Sequence, residues 1–288
     1  MRALLLLALL GADQKRDANA AAQAALEQHE LMRKAQEEAD KACAPLEGQP
    51  APLDREKALG GKLADEIHKK QGAVLTGPVP DYVQKFGADL AKGAKRQALP
   101  WTFEVLDNAE PKSGFAPGGR VMVTTGLLAA LKNEAQLAAV LLHEIAHVDL
   151  HVSERLGKAI HQQCRTMKSM QAAQAGYAGS LPKEMQAAAA ATDEAMMGAM
   201  ADMTMMAAFQ IGSSLEDETQ ADVAAAEGLK RLGYARTEFQ KVLERVPLQS
   251  LSGGKLPPGA ERVATRGNAL DKKPGKAPAF PRKLPWPK

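Results

Sequence analysis

Residues 134–156 read EAQLAAVLLHEIAHVDLHVSERL, and this stretch decides the fold. Apolar residues surround most of its first half, which predicts a long buried helix. Within it stands His143-Glu144-Ile145-Ala146-His147. Residues four apart on an α-helix share a face, so the two imidazoles converge on one point. Imidazole nitrogens suit a tetrahedral zinc site. Glu144 follows the first histidine, where its carboxylate can take the proton of an attacking water as general base. Such five-residue patterns also arise by chance. In an apolar segment, however, two histidines and a glutamate are costly unless paired or metal-bound. The pattern points to metal-dependent hydrolysis of peptide bonds, with His143 and His147 as ligands.

A third protein ligand is needed. His151 also falls on the ligand face, but it lies eight residues after His143, about 12 Å along a straight helix. No glycine between His147 and His151 breaks the helix, so His151 is read as structural or at the edge of the site. Downstream, LEDETQADVAA places Glu218 and Asp222 four apart on one helical face. Glu218 could ligate, and Asp222 could accept a hydrogen bond from the far nitrogen of a ligand histidine. Glu216 and Asp217 stand alongside, so a solvated acidic turn fits the spacing equally well.

Composition bounds the alternatives. The chain has 288 residues, enough for one sizeable domain with extensions or for two small ones. Apolar residues make up 45% and aromatics only 4%, which favours a real core built mainly of helix. A formal charge of +3, with no basic stripe interleaved with aromatics, argues against a nucleic-acid surface. Cys43 and Cys164 lack CxxC spacing, which argues against a zinc finger or redox motif. They could pair in an oxidising compartment, and the sequence leaves that open.

The organisation follows from the patterning. MRALLLLALLGA puts one arginine before a short apolar run too short to span a bilayer, and residues 1–12 are read as a signal peptide. Residues 13–53 are read as a solvated helix and a Pro-rich linker. From Asp54, Leu59, Leu63 and Ile67 recur at helical spacing, and PDYVQKFGADLAKGAK forms a second helical segment. WTFEVLD and GGRVMVTT read as strands, and GLLAALKN as a short helix. Nine of the twelve methionines lie between Met167 and Met206. This segment is read as a core or capping helix with methionine as filler. A lid over the site and a helix on a membrane surface are the other readings. The segments beginning SLEDETQ and TEFQKVL are helical. Residues 271–288 are read as a disordered, basic, Pro-rich tail.

The stretch from about Arg55 to Arg262 resembles the gluzincin peptidase family of the CAAX prenyl proteases, the mitochondrial inner-membrane stress protease and the periplasmic outer-membrane quality-control proteases. ALGGKLADEIHKK resembles its first helix and LPWTFEVLDN its first strand. SGFAPGGRVMVTTGLL resembles the edge strand over the cleft, NEAQLAAVLLHEIAHV the active helix, and EDETQADVAAAEGL the helix giving the third ligand. The soluble periplasmic branch is closest. The resemblance implies that His143, His147 and Glu218 are ligands, Glu144 the base and Asp222 a support for a ligand histidine. There are departures. Ser113-Gly114 replaces Asn-Ala, and the loop before Pro117-Gly118-Gly119 is one residue shorter. Val152 stands where a histidine is common, with His151 one earlier. Leu256 replaces a histidine of the cleft, while Pro257 and Arg262 are kept.

The expectation is therefore an α+β fold. A mostly helical zincin-like domain spans 54–270, with a small sheet whose edge strand borders the cleft. Gly119, Arg120, Val121, Met122 and Val123 would hold an extended substrate by strand addition, and Arg262 would lie near the cleft. One zinc ion per chain, polypeptide substrates in the periplasm or outside the cell, and an envelope protein complex complete the reading. Membrane association is the other localisation. The alternative function is a metal-binding chaperone or scaffold for envelope proteins.

Overall fold

The computed structural model describes residues 2–178 and 214–251. The expected roles of Leu256, Arg262 and the basic tail fall outside these residues, as do the methionines from Met185 to Met206. Residues 2–12, the expected signal segment, are helical. Among the described residues, no helix is long and apolar enough to cross a membrane.

Two compact units form. Among the described residues, the first comprises 48–159 and 214–251, and the second comprises 2–47 and 160–178. The expected span 54–270 is divided accordingly, since 160–178 group with the N-terminal helix.

In the first unit, helix α2 (Leu53–Gln71) opens after Pro52 with Asp54 and Glu56 in its first turn and His68, Lys69 and Lys70 in its last. Those charges oppose the helix dipole at both ends. Its buried stripe contains the expected Leu59, Leu63 and Ile67. Helix α3 (Pro78–Ala91) starts on a proline whose fixed φ suits the first turn. Strands β1 (Thr102–Leu106), β2 (Lys112–Ala116) and β3 (Arg120–Thr124) follow, then α4 (Thr125–Ala130), whose N-cap Thr124 accepts from the Leu127 amide. Helix α5 (Glu134–His147) is capped by Asn133 and buries every residue except Ala135. It continues through a π-helical turn, Val148–Val152, into α6 (Ser153–Ala178). Helices α7 (Leu215–Arg231) and α8 (Thr237–Arg245) and a short strand β4 (Gln249–Ser250) complete the chain. Helix α5 packs most extensively on α7.

The sheet runs β1-β3-β2-β4. This corrects the expected edge strand. Strand β3 pairs with β1 in parallel and with β2 antiparallel, so it is internal. Its Val121, Met122 and Val123 are fully buried, and a continuous apolar run of this kind marks a strand covered on both faces. Gly119, Arg120, Val121, Met122 and Val123 therefore do not form an open edge. That role passes to β2, which β4 covers only at Lys112 and Ser113 among the described residues.

A buried ion pair holds these pieces in register. Glu56, fully buried on α2, receives both guanidinium nitrogens of Arg96 at 2.9 and 2.5 Å and the Gly118 amide at 2.9 Å. Arg96 also donates to the carbonyl of Val148, while Asp149 accepts the Lys95 and Arg96 amides. One network thus joins α2, the β2–β3 turn and the π-helical turn after His147. The long helix expected from the sequence is continuous but widened there.

In the second unit, Ala35, Ala39 and Cys43 form a buried stripe at four-residue spacing on α1 (Arg2–Cys43). Cys43 and Cys164 form a disulfide with Cα atoms 5.9 Å apart. Arg165 on α6 pairs with Asp40 on α1.

Adjacent glycines in α2 test the packing of the β2–β3 turn. A Cβ on Gly60 would sit 1.8 Å from the carbonyl oxygen of Pro117, while one on Gly61 would meet nothing within 4 Å. Gly60→Ala should destabilise the fold by about 1–3 kcal/mol, as overpacking does. Gly61→Ala should stabilise it by roughly 0.5–1 kcal/mol, since the unfolded chain loses freedom. Urea denaturation midpoints of the two variants should move in opposite directions.

Candidate metal centre

Helix α5 presents His143, Glu144 and His147 within the core, and α7 brings Glu218 and Asp222 to them. The register of α7 is set at its start. Ser214 and Asp217 form a reciprocal capping box, so Glu218 and Asp222 follow on one face toward α5. His143 Nε2 and His147 Nε2 lie 2.9 Å apart. Glu218 spans them, with its oxygens 3.3 Å from His143 Nε2 and 3.2 Å from His147 Nε2. Asp222 Oδ1 lies 2.9 Å from His143 Nδ1. All five side chains are buried.

This geometry brings together the residues expected on α5 and α7. Among the described residues, His143, His147 and Glu218 form the one group able to hold a metal ion, with ligand atoms within 4.8 Å of one another. Two imidazole nitrogens and a carboxylate oxygen, converging in a water-poor core, are the donor set that a catalytic divalent ion of zinc type prefers. Burial by itself would raise the Glu218 carboxyl. Hydrogen bonds from His143 and His147 outweigh burial and hold it well below the usual carboxylate range.

His151 stays outside that group. Its Nδ1 is 3.5 Å from Asp217 Oδ1, and its ring centroid is 5.7 Å from that of His147. Burial, then the neighbouring His147, lowers its pKa.

Three side chains complete the surroundings, and sequence reasoning did not assign them. Ser113 on β2 donates to Glu144 Oε1 at 2.6 Å. Phe115, two residues along the same strand, stacks on His147 with centroids 5.0 Å apart. Phe239 on α8 lies against His143 at 5.1 Å. The signal for β2 was weak because KSGFA contains one strongly β-favouring residue. Alternation alone would have placed Ser113 and Phe115 on one face.

The profile of peptidase family M48 matches residues 80–273. The chain belongs to that family. Family M48 peptidases are metal-dependent, and the match covers α5, α7 and the sheet, where the metal-capable group lies. Among relatives, this M48 peptidase is similar to the putative beta-barrel assembly-enhancing protease of Vibrio cholerae. They are 24% identical over 211 residues, 73% of this chain and 42% of that one. The beta-barrel assembly-enhancing protease of Escherichia coli K12 is 25% identical over 202 residues, 69% of this chain and 39% of that one. The mitochondrial metalloendopeptidase OMA1 of Schizosaccharomyces pombe is 32% identical over 108 residues, 36% of this chain and 32% of that one. The chain spans less than half the length of these relatives.

The three acidic and basic positions separate by metal content. Glu218→Ala should yield a largely metal-free protein, because it removes one of the three donors of the metal-capable group. Asp222→Ala should keep the metal but bind it about 10–100-fold more weakly, the usual cost of losing a partner behind a ligand. His151→Ala should leave occupancy near that of the parent. Metal analysis after dialysis against graded chelator distinguishes the three. An empty site in His151→Ala with a full one in Glu218→Ala would reverse the ligand assignment.

Proposed function

We propose that this M48 peptidase is a zinc-dependent endopeptidase that cuts unfolded or misassembled proteins of the cell envelope. His143, His147 and Glu218 hold one Zn2+ per chain, Glu144 is the general base, and Asp222 orients His143. One observation carries the reading. The buried group of His143, His147 and Glu218 adjoins Glu144, which stands between the two histidines on α5, and β2 touches both Glu144 and His147 while part of its edge is unpaired among the described residues.

The protein's own groups then divide the work. Asp222 engages Nδ1 of His143 and so presents Nε2 for ligation. Phe115 lies flat on the His147 ring and restrains its orientation. Zinc in this site would act as a Lewis acid toward the scissile carbonyl and would acidify the attacking water. Glu144 takes that water's proton and delivers it to the departing amine.

Strand β2 supports the choice of an extended, unfolded substrate. The carbonyls of Pro111 and Ser113 accept from Gln249 and Leu251 of the β4 segment. Backbone groups alternate in direction along a strand, so the N–H and C=O of Phe115 face the same side, beyond the last pair made by β4. A substrate paired there is held by its backbone, which permits wide variation in side chains.

The Cys43–Cys164 disulfide fits an oxidising compartment. Together with relatives named for beta-barrel assembly, it supports a periplasmic or secreted location. The proposed partners are polypeptide substrates and an envelope protein complex.

Glu144→Gln should keep its metal and lose about 10²–10⁴-fold in cleavage of unfolded casein, because the amide cannot accept the proton. Undiminished cleavage by the metal-loaded variant would remove Glu144 from its role. For location, a full-length fusion should fractionate outside the cytosol with Cys43 and Cys164 oxidised on a non-reducing gel. Recovery in the cytosol with two free thiols would overturn the placement.

A further inference from the structure

We propose that Ser113 is a positioning residue for the general base, fixing the rotation of the Glu144 carboxylate through a hydrogen bond to Oε1. The inference rests on the reading of Glu144 given above. The Ser113 hydroxyl is buried and donates to Glu144 Oε1 at 2.6 Å. A donor to an ionised acceptor makes one of the stronger protein hydrogen bonds. It is also directional, and so sets the plane in which the second carboxylate oxygen lies.

Rigidity of the donor gives the contact its effect. Ser113 is held from both sides of its strand, opposite Val123 of β3 and Ser250 of β4. Its carbonyl accepts the Leu251 amide at 3.0 Å. The neighbouring Gly114 admits Leu251 so closely that a Cβ there would lie 3.0 Å from the Leu251 Cβ. The serine is therefore anchored at the one place on β2 where both strand neighbours pair among the described residues. A glutamate side chain has three rotatable bonds, and a proton-transfer group must lie within hydrogen-bond reach of its proton to act. A displacement of about 1 Å can cost on the order of a hundredfold in rate.

The test uses the zinc-loaded full chain with an unfolded protein substrate, together with crystals of the metal-free protein. Ser113→Ala should lower kcat about ten- to a hundredfold, with KM and metal content unchanged. Ser113→Thr, which keeps the hydroxyl, should retain most of the turnover and shows that the effect is not one of strand packing. In a Glu144→Gln background, Ser113→Ala should cause no further loss, since its effect acts through the carboxylate. Metal-free crystals of Ser113→Ala should show the Glu144 carboxylate rotated from its parental position. Parental kcat in Ser113→Ala, or a full additional loss in the Glu144→Gln background, overturns the proposal. Glu144→Gln retaining parental cleavage would instead refute the role of the base itself, which Ser113→Ala alone does not address.

Discussion

Three ionisable groups on α5 and two on α7 meet inside an apolar core, and the need to satisfy them together constrains the rest of the structure. Neither helix could bury its share alone. Two imidazoles and a carboxylate on α5 would be costly without partners, and so would Glu218 and Asp222 on α7. Side by side, His143 pairs with Glu218 and Asp222 and His147 pairs with Glu218, and the same pairing leaves three donor atoms convergent on one point. The close packing of α5 on α7 is thus an electrostatic requirement as much as a hydrophobic one. A metal ion bound at that point would complete an arrangement already held in place by burial.

The sheet and α2 serve the same centre from the other side. Strand β2 reaches α5 through Ser113 and Phe115, and its turn into β3 is fixed by the Glu56–Arg96 pair. Arg96 also holds the Val148 carbonyl just past His147. A buried ion pair is weak support for stability by itself, yet breaking one is strongly destabilising because the surviving charge stays buried. Here that sensitivity links the turn after β2 to the end of α5.

The helices were legible because their periodicity is strong. The recurrence of Leu59, Leu63 and Ile67, and the apolar surround of His143, Glu144 and His147, specify faces directly. The metal-capable group was legible only in part. Spacing put Glu218 and Asp222 on one face but could not separate them from a solvated turn. Their burial comes from the packing of α7, which no local pattern encodes. Strand order was not legible either. Alternation shows that a segment is extended, not which neighbours it has, and the feature pointing to an internal β3 was the unbroken Val121-Met122-Val123 run. The π-helical turn at 148–152 has no local signature, because the groups that hold Val148 and Asp149 belong to Lys95 and Arg96, far away in sequence. The pairing of Cys43 with Cys164 likewise depends on a distance, 5.9 Å between Cα atoms, that sequence does not contain.

That disulfide has a topological consequence. It joins residues 121 positions apart, so the chain between Cys43 and Cys164 is a closed covalent ring. His143, Glu144 and His147 lie within the ring, as do β2 and the Glu56–Arg96 pair, while Glu218 lies on the linear remainder. If the protein cuts extended chains as proposed, it is exposed to cleavage by its own copies wherever its loops open. A single cut in the ring opens it without releasing a fragment, and the severed pieces stay covalently joined through the disulfide. After such a cut, only reduction or a second cut within the ring would free part of it.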